Sequence, residues 1–294
     1  MNIKEALPWQ TKIAAKILLA RLPLGYRLWQ KMNLFKHGQM ERPQYALDVF
    51  TAHFGRVEFS RKTAGFSGLE IGPGDTLFSA VIAKTFGASR LYLVDTGPFA
   101  RRDVKPYLEM AAELKRIGRR PPPALENCEG IDQVLSVCSA VYLTNGVNSF
   151  RAIPDASVDF IWSQAVLEHV RQRDFPMLVR EMRRVLRPGG VCSHRVDLKD
   201  HLGGRLDNLR FSERLWESEF MAGSGFYTNR IRYSEMLQEF EAGGFSVRVV
   251  RKEQFSDLPT PRKRMAERFR TISDEDLMVS GFDVILRTDT EVMK

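Results

Sequence analysis

From residue 69 onward, short apolar runs alternate with helical patterns, which confines the fold to a mostly parallel sheet covered by helices on both faces. The runs are Leu69–Ile71, Leu91–Val94, Ala140–Leu143, Val158–Trp162, Gly190–Val196, Phe245–Val250 and Phe282–Leu286. Seven strands make a full doubly wound α/β sheet. Between the first two, a helix is expected over Asp75–Phe86, with Asp75 or Thr76 as its cap and Gly87 as its stop. Before the fifth strand, Asp174 and Pro176 open a helix whose Leu178, Met182, Val185 and Leu186 recur at helical spacing, and Pro188-Gly189-Gly190 turns the chain afterwards. A further helix is expected over Ser234–Ala242, and Pro121-Pro122-Pro123 is a loop. No internal repeat is visible.

Two parts flank this pattern. Residues 1–62 read as a helical extension with a break at Leu22-Pro23-Leu24-Gly25, ahead of a domain over 63–294. Residues 198–232 form a long insertion after the fifth strand, rich in Gly, Arg and aromatics, of the kind that covers a substrate. With 44% hydrophobic and 27% charged residues, the 294-residue chain excludes wholesale disorder, and it has no uninterrupted apolar stretch of membrane-span length. Cys128, Cys138 and Cys192 are odd in number and far apart, which suits a reducing compartment and no zinc or redox motif. Lys16 and Arg21 interrupt the only candidate signal segment.

Chemistry gathers first at LEIGPGDT, residues 69–76. Gly72 and Gly74 let the backbone turn tightly and admit a ligand closely, although a bare strand-to-helix turn needs the same glycines. Asp95 ends the second strand 21 residues after Gly74, where a carboxylate accepts hydrogen bonds from both hydroxyls of a ribose. A dinucleotide fingerprint requires a third glycine where Leu77 stands, and Asp75 puts negative charge where a pyrophosphate would sit. A nicotinamide oxidoreductase is thereby disfavoured. S-adenosylmethionine carries no phosphate and two cationic groups, for which Glu70 and Asp75 are acceptable neighbours; Glu70 also has a plain role as a helix cap.

At this point the chain resembles the class I S-adenosylmethionine-dependent methyltransferases, in the broad group of small-molecule and lipid-quinone methyltransferases. The resemblance covers roughly residues 65–195 and rests on Glu70-Ile71-Gly72-Pro73-Gly74, Asp95, the stretch Ser163–Val170 (SQAVLEHV) and Glu181–Gly190 (EMRRVLRPGG). It implies a Rossmann-like methyltransferase fold and S-adenosylmethionine as cofactor. It also implies cofactor contacts from Glu70, Gly72, Pro73 and Gly74 at the methionine end, and from Asp95 and Thr96 at the ribose. Gly146 and Val147, in the Asn145–Asn148 stretch, occupy the adenine region, and Ser163 and Gln164 lie beside the sulfonium. That stretch replaces the family's frequent Gly-Asp pair.

The implied activity is methyl transfer to a small-molecule, glycan or lipid-linked acceptor, at oxygen, by in-line displacement with general-base help. Candidate bases sit after the fourth and fifth strands: His201 and Asp197, and His169, which has a structural alternative at a helix start. No metal is expected, because SHRVDLKDH offers closely spaced ligands without a clear third one elsewhere. In the insertion, arginines alternate with Phe211, Trp216, Phe226 and Tyr227, which suits either a ring-and-anion site or plain core packing. Tyr227, Asn229 and Arg230 are the candidate substrate contacts.

The net charge of +8 lies at the ends: residues 1–45 carry eight Lys and Arg against two Glu, and residues 246–270 eight against three acids. Residues 1–36 mix Ile, Leu and Trp with lysines, so they either lie on an anionic membrane or pack against the domain. The expected location is the cytoplasm, with a peripheral place on the inner membrane face. A nucleic-acid methyltransferase is the main alternative, suggested by the basic ends and opposed by Ser163-Gln164-Ala165 in place of an Asn/Asp-Pro-Pro stretch. A cofactor-binding scaffold without activity is another, and the intact Gly72, Gly74 and Asp95 oppose it. Oligomeric state and acceptor are not legible.

Overall fold

The computed structural model describes residues 40–59, 61–63 and 65–288. Its seven strands are β1 (Ser67–Ile71), β2 (Arg90–Val94), β3 (Ala140–Leu143), β4 (Val158–Gln164), β5 (Leu186–Asp197), β6 (Phe245–Gln254) and β7 (Val279–Thr288). They form one sheet in the order β3-β2-β1-β4-β5-β7-β6. Neighbouring strands from β3 to β5 run parallel, while β7 runs antiparallel to both β5 and β6. The chain order reverses between β1 and β4, and the crevice at the carboxyl ends of these strands is where ligands bind in such sheets.

Helices α1 (Pro43–Gly55), α2 (Phe78–Thr85), α3 (Lys105–Arg116), α4 (Ile131–Val137), α5 (Phe175–Val185) and α6 (Tyr233–Ala242) cover the two faces. Strand alternation splits the core. Leu69 and Ile71 of β1 join Phe175, Leu178, Met182 and Phe240 on one face. The other gathers Phe50, Phe78, Phe160 and Trp162, so α1, although it precedes residue 63, packs into the same core as the sheet.

The helix expected over Asp75–Phe86 begins later, at Phe78, and neither predicted cap serves it. Thr76 instead donates its hydroxyl to the Met40 carbonyl at 2.8 Å. A tertiary bond from the chain ahead of α1 outcompetes local capping here. Gly87, with φ at 98°, stops the helix as expected. Pro188-Gly189-Gly190 lies within β5, which pairs with β4 already at Leu186.

The insertion 198–232 folds as a 3-10 turn (Asp207–Arg210) and single-turn helices Glu213–Trp216 and Glu219–Ala222. Its Leu202, Trp216, Met221, Phe226 and Tyr227 form a satellite core, so the aromatic spacing is satisfied by packing. Asp200 organises its first turn, Oδ1 accepting from the amides of Leu202, Gly203 and Arg205 and Oδ2 from that of Asp207. Among the described residues no helix is long and apolar enough to cross a membrane. The membrane expectation for residues 1–36 lies outside the described residues.

Candidate active site

The chain leaves β1 through Gly72 and Gly74, both in the left-handed region at φ 72° and 74°. Space also demands glycine at 72, because a Cβ there would meet Val166 Cγ2 at 2.5 Å. Val166 is brought there by Ala165, whose φ of 53° bends the chain sharply just past β4. The segment after β4 is thus laid against the glycine loop.

Asp95, just past β2, closes the other side. Its Oδ2 accepts the Gly74 amide at 3.2 Å and its Oδ1 the Thr96 amide at 2.7 Å. Each carboxylate oxygen can accept more than one hydrogen bond, so a group that shapes the loop has the chemistry to accept from a diol as well. Gly146 adjoins it, donating its amide to the Asp95 carbonyl at 2.8 Å, and Val147 packs partly buried at the start of the 3-10 turn Gly146–Ala152. Glycine loop, Asp95, Thr96, Gly146 and Val147 are therefore brought together along the carboxyl ends of β1, β2 and β3.

Glu70 is 2% exposed; its Oε1 accepts the Trp162 indole N–H at 3.2 Å, the Ser79 hydroxyl also stabilises its charged form, and its Oε2 has no well-formed hydrogen bond. Burial pushes its carboxyl up to about 7. An orphaned carboxylate oxygen next to the loop suits a cationic group, and this is the feature by which the residues present fit the ammonium and sulfonium of S-adenosylmethionine.

Ser163 and Gln164 part company. Ser163 is fully buried, its hydroxyl 2.8 Å from His194 Nδ1 inside the sheet. Gln164, half-buried at the end of β4, accepts at Oε1 from His53 Nε2 at 3.0 Å, while His53 Nδ1 takes the Ser193 hydroxyl at 2.8 Å. Burial pushes the imidazoles of His53 and His194 down, to about 4 and about 3. Both stay neutral as packing elements.

The three base candidates converge at the carboxyl ends of β4 and β5. His169 and His201 are exposed with ring centroids 4.7 Å apart. Asp197 donates its amide to Glu168 Oε1, while its own carboxylate receives the Lys199 amide at 3.0 Å and faces the Lys199 ammonium at 3.3 Å. Glu168 stands in the sequence only as one residue of the Ser163–Val170 stretch. It is 1% exposed, and burial first, then the Asp197 charge, pushes its carboxyl up to about 8. Nothing local in the sequence marks it as buried.

The three insertion candidates hold the frame. Tyr227 donates its hydroxyl to Glu217 at 2.8 Å, and its carbonyl accepts from His169 Nδ1 at 2.9 Å. Asn229 clamps the turn bearing Glu168 and His169, its Nδ2 donating to the Leu167 and Val170 carbonyls and its amide to that of Glu168. Arg230, at φ 60°, lies over Trp216 and Phe269, bonds the Phe211 carbonyl and pairs with Glu213 at 3.0 Å. Their polar atoms face the protein, with Tyr227 and Asn229 bracing the histidine cluster.

A family profile described as a methyltransferase domain matches residues 122–193, from the loop before α4 into β5. No curated protein matches the chain. Solved structures similar to it include CurJ carbon methyltransferase, 14% identical, covering 89% of this chain and 58% of that one at a TM-score of 0.43. Phosphoethanolamine N-methyltransferase 2 of Haemonchus contortus, in complex with phosphomonomethylethanolamine and S-adenosylhomocysteine, is 15% identical over 83% of this chain and 52% of its own, with a TM-score of 0.44. An arsenic(III) S-adenosylmethionine methyltransferase of Chlamydomonas reinhardtii is 17% identical over 78% and 64%, at 0.43. This chain spans 58% and 52% of the first two structures' lengths.

Proposed function

We propose that this chain, which carries a methyltransferase domain, transfers a methyl group from S-adenosylmethionine to an oxygen of a small-molecule, glycan or lipid-linked acceptor. The carrying observation is the cradle built from Gly72, Gly74 and Asp95 beside the orphaned Glu70 Oε2. It offers acceptors to a diol and a negative group to a cation.

When bound, S-adenosylmethionine supplies an electrophilic methyl group on a sulfonium. The chain's own work is then alignment and proton handling. Asp95 and Thr96 hold the ribose side, Glu70 the cationic end, and Val166 keeps the glycine loop in place. An acceptor hydroxyl enters where β4 and β5 end, so its oxygen approaches in line and its proton is taken up among His169, Asp197 and His201. The insertion, folded over this opening through Tyr227 and Asn229, limits water. Residues 1–36, with their Lys and Arg among Ile, Leu and Trp, contact an anionic lipid surface and so present a lipid-linked acceptor.

Calorimetric titration with S-adenosylhomocysteine, with NADH in parallel, tests the cofactor. Micromolar binding of the former alone is expected. Binding of NADH alone, or of neither, overturns the proposal.

A further inference from the structure

The polar groups at the ends of β4 and β5 also make a ligand set. Glu168, His169 and His201 each offer one ligand atom, and these atoms lie within 4.8 Å of one another. Two observations separate this cluster from an ordinary solvated patch.

The first is that Glu168, 1% exposed, has an oxygen, Oε2, with no hydrogen-bond partner, while Oε1 is fixed by the Asp197 amide. A buried carboxylate oxygen without a donor calls for a cation. The second is the tautomer of His169. Its Nδ1 lies 2.9 Å from the Tyr227 carbonyl, which only accepts, so Nδ1 carries the proton and the lone pair resides on Nε2. Carbonyl-oriented imidazole is the usual second shell of a metal-bound histidine. Asn229 adds rigidity, since its three bonds hold the Leu167–His169 turn that carries two of the three ligands.

We propose that Glu168, His169 and His201 bind a divalent first-row transition-metal ion. Two imidazoles with one carboxylate suit zinc, manganese or iron, whereas magnesium and calcium prefer oxygen alone. Glu168 closes the site from the protein side and the exposed histidines leave the solvent side open, the pattern of a site that also receives an exogenous oxygen. What the ion would do there rests on the function proposed above: it would hold the acceptor oxygen and favour its deprotonated form, and with both imidazoles ligated the proton would pass to Asp197 alone of the three base candidates. Whether the ion binds does not depend on that function.

The test uses the full-length, untagged protein, with Zn²⁺ titrated calorimetrically, Co²⁺ followed by its visible absorption, and Mg²⁺ as the contrast. About one equivalent of Zn²⁺ is expected to bind, and His201→Ala, an exposed substitution, is expected to weaken it by about tenfold or more. Glu168→Gln should do the same; if that variant fails to fold, His201→Ala decides. No Zn²⁺ binding, or binding unchanged in His201→Ala, overturns the proposal. Because S-adenosylhomocysteine is titrated on the same sample, a failed cofactor assignment and a failed metal site are read separately.

Discussion

At the scale of single residues, Asp95 and Glu70 carry the sharpest consequences. Asp95 shapes the glycine loop through the Gly74 and Thr96 amides, and in the proposed function it also holds the ribose. Asp95→Ala removes hydrogen bonds to a charged acceptor, about 1.5–3 kcal/mol, so affinity for S-adenosylhomocysteine is expected to fall roughly 10- to 150-fold by calorimetry. Unchanged affinity in a folded variant would place the ribose elsewhere. Glu70 brings a pH dependence. Its carboxyl titrates near 7, above its ordinary 4.5, because burial opposes the charge. An ammonium drawn to Oε2 needs the ionised form, so ligand binding expels a proton below pH 7. Affinity should therefore rise by up to about tenfold per pH unit up to 7 and level off above it. Glu70→Gln should flatten that profile; a slope that survives in Glu70→Gln assigns it to another group.

At the scale of elements, α1 is latched to the sheet by a neutral histidine. His53 joins α1 to Gln164 of β4 and Ser193 of β5. Its folded pKa of about 4 lies below the ordinary 6.5, so the native state resists a proton that the unfolded chain accepts. The resulting stability is present in full above pH 6.5 and is lost as pH falls towards 4, by roughly 3 kcal/mol in all. Glu70 and Glu168, both raised, act oppositely in that window, because the native state holds their protons more tightly. The His53 contribution is therefore read as a difference: in urea unfolding, the advantage of wild type over His53→Gln should shrink as pH drops from 6.5 to 4. A constant difference would mean that His53 is already charged in the fold. The insertion has its own keystone. Asp200 gathers four backbone amides, and Asp200→Ala should cost about 2 kcal/mol or more and speed proteolysis within residues 198–232. Unaltered cleavage would show that the satellite core around Trp216 holds the insertion alone.

At the scale of the whole molecule, the sheet brings distant segments to one edge. Strand order β3-β2-β1-β4-β5 aligns the carboxyl ends from which Gly146, Asp95, the glycine loop, Glu168 and His201 emerge. Charge is arranged differently, with the net +8 concentrated near the termini and away from this edge in the chain. Co-sedimentation of the full chain with anionic vesicles is expected, and deletion of residues 1–36 should abolish it; retention by the shortened chain would move any lipid contact to another surface.

The local features of the site were legible in the sequence because they are local in physics. Seven strands follow from apolar runs broken by turn residues, and Gly72 and Gly74 sit at turns that only glycine tolerates easily. Asp95 follows from its place at the end of a strand. What meets what was decided by the tertiary structure alone. His169 and His201 are 32 positions apart, and only the parallel pairing of β4 with β5 sets their rings side by side. Ser163 and Gln164 are neighbours, yet strand alternation sends one hydroxyl to His194 inside the sheet and the other side chain to His53. Tyr227, Asn229 and Arg230 were expected to meet substrate, but their polar atoms hold the frame of the insertion and of the Glu168 turn. Burial turns Glu168 from a surface acid into an orphaned carboxylate, and burial is a property of the packed chain, set by contacts between segments far apart in sequence.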